Sequence, residues 1–310
     1  MMVLITQAPA KINLTLEVLG LRSDGYHELA SVFHTLSYAD EVTLKIMPPI
    51  TAERPPSIRI AIVGMPAPLD SRNTVWQAIE QFWAHLPPVH PSTNTDKGQI
   101  HVNLLKRLPS MAGLGGGSSN AAAVLKLLAL WAPSAGIPLP NLNEVALSVG
   151  SDVPFFLNAP CALVEGRGER VTPLPPLPPF AWIIAKPVFT LISTAWAYRQ
   201  LKRKPLGRRS STGERTEQLA QALLQGAIKT PTDLVPYLHN DFEPAILPAC
   251  PNVQALRQRM LDLGVLAVLL CGSGGAQAGL CESWAQAEAI AHQLRIENED
   301  YWSKVAVLLN

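Results

Sequence analysis

Alternating apolar and polar positions predict strands on both sides of a glycine-rich segment. Residues 3–19 alternate and are rich in β-forming side chains, and a second stretch of this kind covers 29–45. A shorter alternating stretch over 100–104 leads into the glycine-rich segment at 109–123, and a helical pattern covers 120–131. The predicted order at this point is strand, glycine loop, helix.

The pattern elsewhere predicts a mixture of helices and strands. Asn73 opens an amphipathic stretch for which it is a good N-cap, and a second helix covers 143–149. Further along, residues 180–189 and 265–270 have the pattern of strands, and a helix starts at Ser283. The fold class predicted is α+β.

Proline-rich and polar segments mark the connections between these elements. Residues 48–57 and 85–98 have the composition of surface loops. A proline run at 172–179 precedes the strand near residue 180, and we place a domain boundary there. This predicts an N-terminal domain of residues 1–175 and a C-terminal domain of residues 176–310.

The glycine loop has the composition of a phosphate-binding site. Gly113 and the run 115–117 carry no side chain, so backbone N–H groups can approach an anion closely. Ser118 and Ser119 are expected at the start of the helix, where they cap free N–H groups or bind phosphate oxygens. A P-loop is excluded because no Gly-Lys-Ser/Thr follows, and the dinucleotide fingerprint lacks its third glycine. A glycine turn that binds nothing remains an alternative.

Composition narrows the functional class. The 310 residues include 25 Lys or Arg and 24 Asp or Glu, and a net charge of +1 gives no electrostatic footprint for nucleic acid. No apolar run approaches bilayer length, and the first residues predict a strand rather than a signal peptide. We expect a cytoplasmic protein, a monomer or weak dimer, that binds neither nucleic acid nor membranes.

The glycine loop and two further strings resemble those of the GHMP kinases, the superfamily of galactokinase, homoserine kinase and mevalonate kinase. The string PSMAGLGGGSS at 109–119 resembles their ATP-binding loop. APAKINL, around Lys11, resembles their first motif, and GSDVPFF, around Asp152, resembles the segment with the catalytic aspartate. The resemblance implies a GHMP kinase fold, with an N-terminal domain like the second domain of ribosomal protein S5 and a ferredoxin-like C-terminal domain.

Two more strings complete the resemblance. DGYHEL, which contains Tyr26 and His27, resembles the members whose substrate is a cytidyl diphosphate sugar alcohol. In those members the aromatic ring stacks on cytosine and the histidine binds the edge of the base. Gly272-Ser273-Gly274 resembles the third motif, although Gln277 and Ala278 stand where Val and Phe are more usual.

The resemblance implies ATP and Mg²⁺ as cofactors and assigns roles to particular residues. Lys11 and Asp152 would be the catalytic pair, with Asp152 taking the proton of the acceptor hydroxyl. The residues implied for ATP are Pro109, Ser110, Met111, Ala112, Gly113, Leu114, Gly115, Gly116, Gly117, Ser118, Ser119 and Asn73. Those implied for the small-molecule substrate are Asn13, Tyr26, His27, Lys106 and Asp152.

Each functional role has a structural alternative. A strand lysine such as Lys11 ordinarily points to solvent, and an aspartate before a helix, such as Asp152, ordinarily caps it. The remaining alternatives are a structural plug for Tyr26 and His27, a helix cap for Asn73, and a solvated basic pair for Lys106 and Arg107.

Three alternatives remain for the whole chain. It could be another GHMP small-molecule kinase, or a catalytically silent nucleotide-binding protein on the same fold. The third alternative is a nucleic-acid-binding protein, which the basic segment 202–216 suggests. A solvated loop is nevertheless the favoured interpretation of that segment.

Overall fold

The computed structural model describes residues 1–87, 98–158, 160–201 and 213–310. Most of the predicted connection at 85–98 and most of the basic segment at 202–216 therefore lie outside the described residues. The chain divides into two compact units built from separated segments. Unit 1 comprises Met1–Pro9, Ala39–Ser110 and Gly115–Asn158, and unit 2 comprises Ala10–Tyr38, Met111–Leu114 and Ala159–Asn310.

Two long strands contribute residues to both units, and the remaining elements belong to one. The long strands are β1 (Met2–Leu21) and β2 (His27–Met47). The further elements of unit 1 are β3 (Ser57–Gly64), α1 (Thr74–Ala84), β4 (Gln99–Lys106), α2 (Gly116–Trp131), a 3₁₀ turn at Ala132–Ala135, α3 (Leu142–Val149) and α4 (Val153–Asn158). The strands predicted at 3–19, 29–45 and 100–104 are thus confirmed.

The sheet of unit 1 is built on β4. This strand pairs antiparallel with β2, where Val42 faces Leu104, and parallel with β3, where Ile60 faces Val102. Val42, Val102 and Leu104 are buried, whereas β3 is an exposed edge strand. Strand β3 was not predicted from the sequence.

Helix α1 begins as predicted. Asn73 is its N-cap, and its side-chain oxygen accepts a hydrogen bond from the N–H of Val75 at 3.1 Å. The apolar positions Ile79, Phe82 and Trp83 are buried. The amphipathic pattern after Asn73 therefore corresponds to a helix that buries its apolar face in the core.

Helix α2 begins at Gly116, four residues before the predicted start at Asn120. Its N-cap is Gly115, in the left-handed region at φ 72°. Ser118 and Ser119 lie in the first turn, so their predicted place at the start of the helix is confirmed, but neither is the N-cap, because Gly115 occupies that position. Glycine adopts this conformation without steric cost, and this lets the chain enter the helix earlier.

Unit 2 holds the rest of the secondary structure. Its strands are β5 (Cys161–Gly166), β6 (Arg170–Pro173), β7 (Ala181–Pro187), β8 (His239–Asn240), β9 (Ala267–Leu270), β10 (Gln277–Leu280) and β11 (Tyr301–Val307). Its helices are α5 (Thr194–Leu201), α6 (Glu214–Leu224), α7 (Pro231–Leu234), α8 (Glu243–Ala249), α9 (Pro251–Asp262) and α10 (Trp284–Glu297), with a 3₁₀ turn at Val235–Tyr237.

One sheet of unit 2 has the ferredoxin-like arrangement. Its strands stand in the order β11-β7-β10-β9, and all neighbours are antiparallel. Along the chain the order is β7, α9, β9, β10, α10, β11, with α5 to α8, the 3₁₀ turn and β8 inserted between β7 and α9. Ile183 of the sheet packs with Met260 of α9 and Leu294 of α10 in one buried cluster. This confirms the predicted architecture of the C-terminal domain.

The other strands of unit 2 pair with the two long strands. β5 pairs antiparallel with β2, where Leu29 faces Gly166, and with β6, where Val164 faces Val171. β8 pairs parallel with β1, where Thr15 faces His239. Within the described ranges, no helix combines the length and apolar character needed to cross a bilayer.

Candidate active site

The start of α2 in unit 1 can bind an anion. The first N–H groups of a helix have no partner inside it, and Gly115 has no side chain with which to cap them. Ser119 is 1% exposed, and its hydroxyl oxygen has no hydrogen-bond partner among the described residues. A buried hydroxyl without a partner at a positive helix end fits a phosphate group. The local structure therefore fits the ATP predicted for this loop.

Three other segments of unit 1 surround the first turn of α2. The hydroxyl of Thr74 donates to the carbonyl of Gly117 at 2.7 Å. The ammonium of Lys106 lies 3.5 Å from the point where a β-carbon on Gly116 would stand. The Ser118 hydroxyl lies 4.0 Å from the equivalent point on Gly150, two residues before Asp152 in the turn that leads into α4. The loop and the Asp152 turn are thus neighbours.

Lys106 belongs to a buried polar cluster. Its ammonium forms an ion pair with Asp40 and donates to the side-chain oxygen of Asn120 at 2.9 Å. The Asn120 amide also donates to Asp40, at 3.0 Å. All three side chains are at most 5% exposed. The alternative of a solvated Lys106 is therefore wrong, while its predicted substrate contact stays a prediction.

Asp40 also binds the backbone at the entrance to the glycine loop. Its second oxygen accepts the N–H groups of Arg107 at 2.6 Å and Leu108 at 2.9 Å. One carboxylate thus ties the end of β4 to the second turn of α2 through Asn120. The backbone that precedes the glycine loop is therefore fixed by hydrogen bonds to a buried carboxylate of the same unit.

Lys11 of unit 2 is buried in β1 and is 3% exposed. Its ammonium donates to the side-chain oxygen of Asn13 at 2.7 Å and lies 4.5 Å from the centre of the Phe33 ring. The Asn13 amide donates to the Ser31 hydroxyl at 3.1 Å, and Ser31 donates to the carbonyl of Thr15. The solvent-facing alternative for Lys11 is wrong, and a chain of neutral polar groups orients its ammonium.

Tyr26 and His27 of unit 2 differ in exposure. The Tyr26 ring is 50% exposed, whereas His27 is half-buried and stacks on Tyr198 at 4.5 Å between ring centres. Burial lowers the pKa of His27, so the neutral imidazole is favoured near pH 7. A neutral imidazole offers one donor and one acceptor, and the tyrosine offers an accessible π-face.

The glycine loop contacts the third motif within unit 2. The N–H of Ala276 donates to the carbonyl of Ala112 at 3.2 Å. A β-carbon on Gly113 would stand 1.7 Å from the carbonyl oxygen of Cys271, and one on Gly274 would stand 2.3 Å from Gly113. Gly113 and Gly274 are therefore required for the packing of these two loops. The simple glycine turn considered for the third motif is part of a two-loop contact.

Asn240 anchors the third motif. Its amide donates to the carbonyls of Leu270 and Gly272, both at 2.8 Å, and its oxygen accepts the N–H of Phe242 at 2.9 Å. Gln277 is buried and donates to the carbonyl of Val253 at 2.9 Å, so this atypical residue packs against α9. The departure from the usual family residue thus serves the core of unit 2.

Several residues predicted for ATP have internal partners. The Asn73 amide donates to the carbonyl of Pro68 at 2.6 Å and caps α1, so the structural role weighed for it is present. The Ser110 hydroxyl donates to the carbonyl of Pro66 at 3.0 Å. Their nucleotide contacts stay predictions. Of the predicted site, Asn73, Lys106, Asp152 and the loop outside 111–114 lie in unit 1, and the remainder lies in unit 2.

Three residues near these groups were not predicted. Asp40, Thr74 and Ser31 each bind a predicted site residue or its backbone neighbours. Asp40 had a detectable signal, since it is a carboxylate within a strand of apolar alternation. Ser31 and Thr74 had none, because a hydroxyl in a strand or first helical turn is ordinary.

Comparison with family models and solved structures identifies the class of protein to which the chain belongs. The model of the GHMP kinase N-terminal domain matches residues 73–159, and that of the GHMP kinase C-terminal region matches residues 219–300. A homoserine kinase from Cytophaga hutchinsonii has the same fold, with a TM-score of 0.67 at 19% identity over 99% of this chain and 94% of that chain. The fold and the glycine-loop site together define a GHMP kinase.

More similar relatives narrow the class. A 4-(cytidine 5'-diphospho)-2C-methyl-D-erythritol kinase structure gives a TM-score of 0.71 at 30% identity, covering 99% of this chain and 100% of that chain. A 4-diphosphocytidyl-2-C-methyl-D-erythritol kinase from Gloeobacter violaceus is 37% identical over 92% of this chain and 87% of its own length. One from Synechocystis sp. is 35% identical over 95% of this chain and 93% of its own length. The chain belongs to this family of GHMP kinases.

Proposed function

We propose that this chain transfers the γ-phosphoryl group of ATP to the 2-hydroxyl of 4-diphosphocytidyl-2-C-methyl-D-erythritol. The observation that carries the proposal is the first turn of α2. Its N-terminal N–H groups and the partnerless hydroxyl of Ser119 suit a phosphate, and the turn with Asp152 is adjacent. The family of the chain supplies the acceptor.

In the proposed reaction, residues 113–119 hold the phosphates of ATP through backbone N–H groups and serine hydroxyls. Asp152 orients the acceptor hydroxyl and receives its proton, and Lys11 stabilises the negative charge that develops at the transferred group. The Asn13–Ser31 chain keeps the Lys11 ammonium in one orientation. Preorganisation of this kind lowers the cost of reaching the transition state.

Bound Mg²⁺ would share the charge of the phosphates. The described residues contain no group of three or more His, Cys, Asp or Glu placed to hold a metal ion. Mg²⁺ usually keeps several waters and binds through substrate phosphates with one or two carboxylates. A metal held mainly by the phosphates of ATP would not need such a group of protein ligands.

Substrate selection would depend on Tyr26 and His27. The half-exposed Tyr26 ring would stack on cytosine, and the neutral His27 imidazole would pair with a donor and an acceptor on the base edge. Lys106 and Asn13 are proposed to contribute further substrate contacts. We also propose a cytoplasmic enzyme that acts as a monomer or weak dimer, with the domain boundary near residue 175.

The test is ATP-dependent phosphorylation of the cytidyl substrate beside mevalonate, homoserine and galactose. We expect turnover of the cytidyl substrate alone, and a loss of about 10²–10⁴-fold in kcat for Asp152→Asn, the range for a general base. Asp70→Asn is the matched control, since Asp70 is an exposed aspartate paired with Arg72 in the same unit. Turnover of a different acceptor, or near-normal kcat in Asp152→Asn, would contradict the proposal.

A further inference from the structure

The exposed ring of Tyr26 has a cationic neighbour. The guanidinium carbon of Arg167 lies 4.9 Å from the centre of the Tyr26 ring. This distance is within the range of a cation–π contact, which a planar guanidinium can make by stacking on the ring. Arg167 therefore lies over a ring that remains 50% exposed, and the exposed part of the ring is accessible to a planar ligand.

The turn that carries Arg167 is tightly built. It joins β5 to β6, and two of its residues, Gly166 and Gly168, have φ of 73° and 117°. The N–H of Arg167 donates to the Glu169 carboxylate at 2.6 Å. Gly166 pairs with Leu29 of β2, two residues beyond His27. The hairpin thus presents Arg167 from a defined position beside the start of β2.

The turn before Tyr26 adds a second attraction for Arg167. The Asp24 carboxylate accepts the N–H of Tyr26 at 3.1 Å and pairs with Arg22 at 3.1 Å. The pKa of Asp24 is lowered by the Tyr26 N–H bond first, then by Arg22, with a contribution from the charge of Arg167. Arg167 therefore interacts with both the ring of Tyr26 and the carboxylate that holds its backbone.

We propose that Arg167 is a positioning residue for base recognition, which fixes the orientation of the Tyr26 ring so that the exposed part of the ring meets the cytosine. This inference rests on the proposed function, because it deepens the role given there to Tyr26. A tyrosine on a surface turn loses rotamer freedom when it stacks on a ligand, and a ring already held by Arg167 loses less. Arg167 therefore affects the affinity for the substrate and not the rate of phosphoryl transfer.

The test compares Arg167→Met, which keeps an unbranched side chain but removes the guanidinium and its charge, with the wild-type enzyme. We expect KM for the cytidyl substrate to rise about fivefold to tenfold, as the loss of a moderate cation–π contact gives. We expect kcat and KM for ATP to stay within about twofold of wild type, a free-energy change of only a few tenths of a kcal/mol. Arg167→Lys keeps a cation without the planar group and should give a smaller rise.

Arg170→Met is the matched control. Arg170 lies on the same hairpin and pairs with Glu28 at 3.0 Å. It should leave all three constants unchanged. A double variant with Tyr26→Ala should bind the substrate no more weakly than Tyr26→Ala alone, because Arg167 acts through that ring. Additive losses, an equal effect of Arg170→Met, or an unchanged substrate KM in Arg167→Met would overturn the inference.

The positioning role of Arg167 and the proposed function fail on different results. If the wild-type protein does not phosphorylate the cytidyl substrate, the proposed function fails before any variant is compared. If it does, and Arg167→Met behaves as wild type, the positioning role alone fails. Circular dichroism checks that each variant is folded, and if Arg167→Met is not, Arg167→Lys decides by whether substrate KM alone rises.

Discussion

Two buried lysines, Lys106 in unit 1 and Lys11 in unit 2, sit in polar clusters of different construction. Lys106 forms an ion pair with Asp40, whose other oxygen binds the backbone N–H groups of Arg107 and Leu108. Lys11 donates to the neutral side chain of Asn13, which is held in turn by Ser31. Both lysines are at most 5% exposed.

The difference concerns what each cluster holds in place. The Asp40 cluster fixes backbone, because one carboxylate joins the end of β4 to α2 at the glycine loop. The Asn13–Ser31 chain fixes the position of one ammonium group. We therefore expect damage to the first to appear mainly in stability and damage to the second mainly in turnover.

Asp40→Asn should have the largest effect on stability. The substitution leaves the Lys106 charge buried without its carboxylate, which typically costs about 3–5 kcal/mol in the free energy of unfolding. Urea denaturation measures this loss. Asp40→Asn combined with Lys106→Met should recover part of it, because neither charge then remains. A loss below about 1 kcal/mol in the single variant, the value typical of a surface ion pair, would contradict a stabilising role for the Asp40 cluster.

Lys11→Met should affect turnover more than folding. We expect kcat to fall by about 10²–10³-fold, the loss seen when one preorganised donor is removed from a transition state. Lys304→Met is the control, an exposed lysine on β11 of the same unit. If Lys11→Met lost as much stability as Asp40→Asn but kept its kcat, the different roles given to the two clusters would be contradicted.

His34 extends the comparison to a buried group held by backbone. Its Nδ1 lies 3.0 Å from the Thr35 carbonyl, its Nε2 accepts the N–H of Leu177 at 3.2 Å, and burial lowers its pKa from 6.5 to about 4. Between pH 6.5 and about 4 the unfolded chain binds a proton that the folded chain does not. The free energy of unfolding should therefore fall by about 3 kcal/mol as the pH falls through this window.

Urea denaturation at several pH values tests this dependence. His34→Gln keeps an acceptor for Leu177 and removes the titration, so its stability should fall less between pH 6.5 and 4. The difference between the two proteins isolates His34 from carboxylates that titrate at the acidic end. Parallel curves for wild type and variant would show that His34 does not contribute.

Ser31→Ala should change turnover less than Lys11→Met, and it tests the Asn13–Ser31 chain directly. It removes one hydrogen bond from the Asn13 amide, and we expect kcat to fall about threefold to tenfold, the equivalent of about 1 kcal/mol. Ser57→Ala is the control, since Ser57 donates to a backbone carbonyl, that of Gly98, on the edge strand of unit 1. Equal kcat for both variants would indicate that the Asn13–Ser31 chain does not orient Lys11.

Much of the fold was predictable because periodicity is a local property. The alternation of β1, β2 and β4, the cap of α1 at Asn73 and the helix after Ser283 all match the structure. Edge strand β3 was not predicted, although its isoleucines alternate. The start of α2 was placed too late, because the glycines before it have low helix propensity and the structure nevertheless includes two of them in the helix.

The candidate site residues could be recognised from the sequence, because the residues of each motif are close together in the chain and the order of the motifs can be compared directly with a family. How those residues are held depends on the packing of the folded chain. Asp40 meets Lys106 and Asn120 across separations of 66 and 80 residues. Likewise, Gly113 has no room for a β-carbon because of Cys271, far along the chain. Contacts between distant residues depend on how elements pack, and no local pattern encodes that packing.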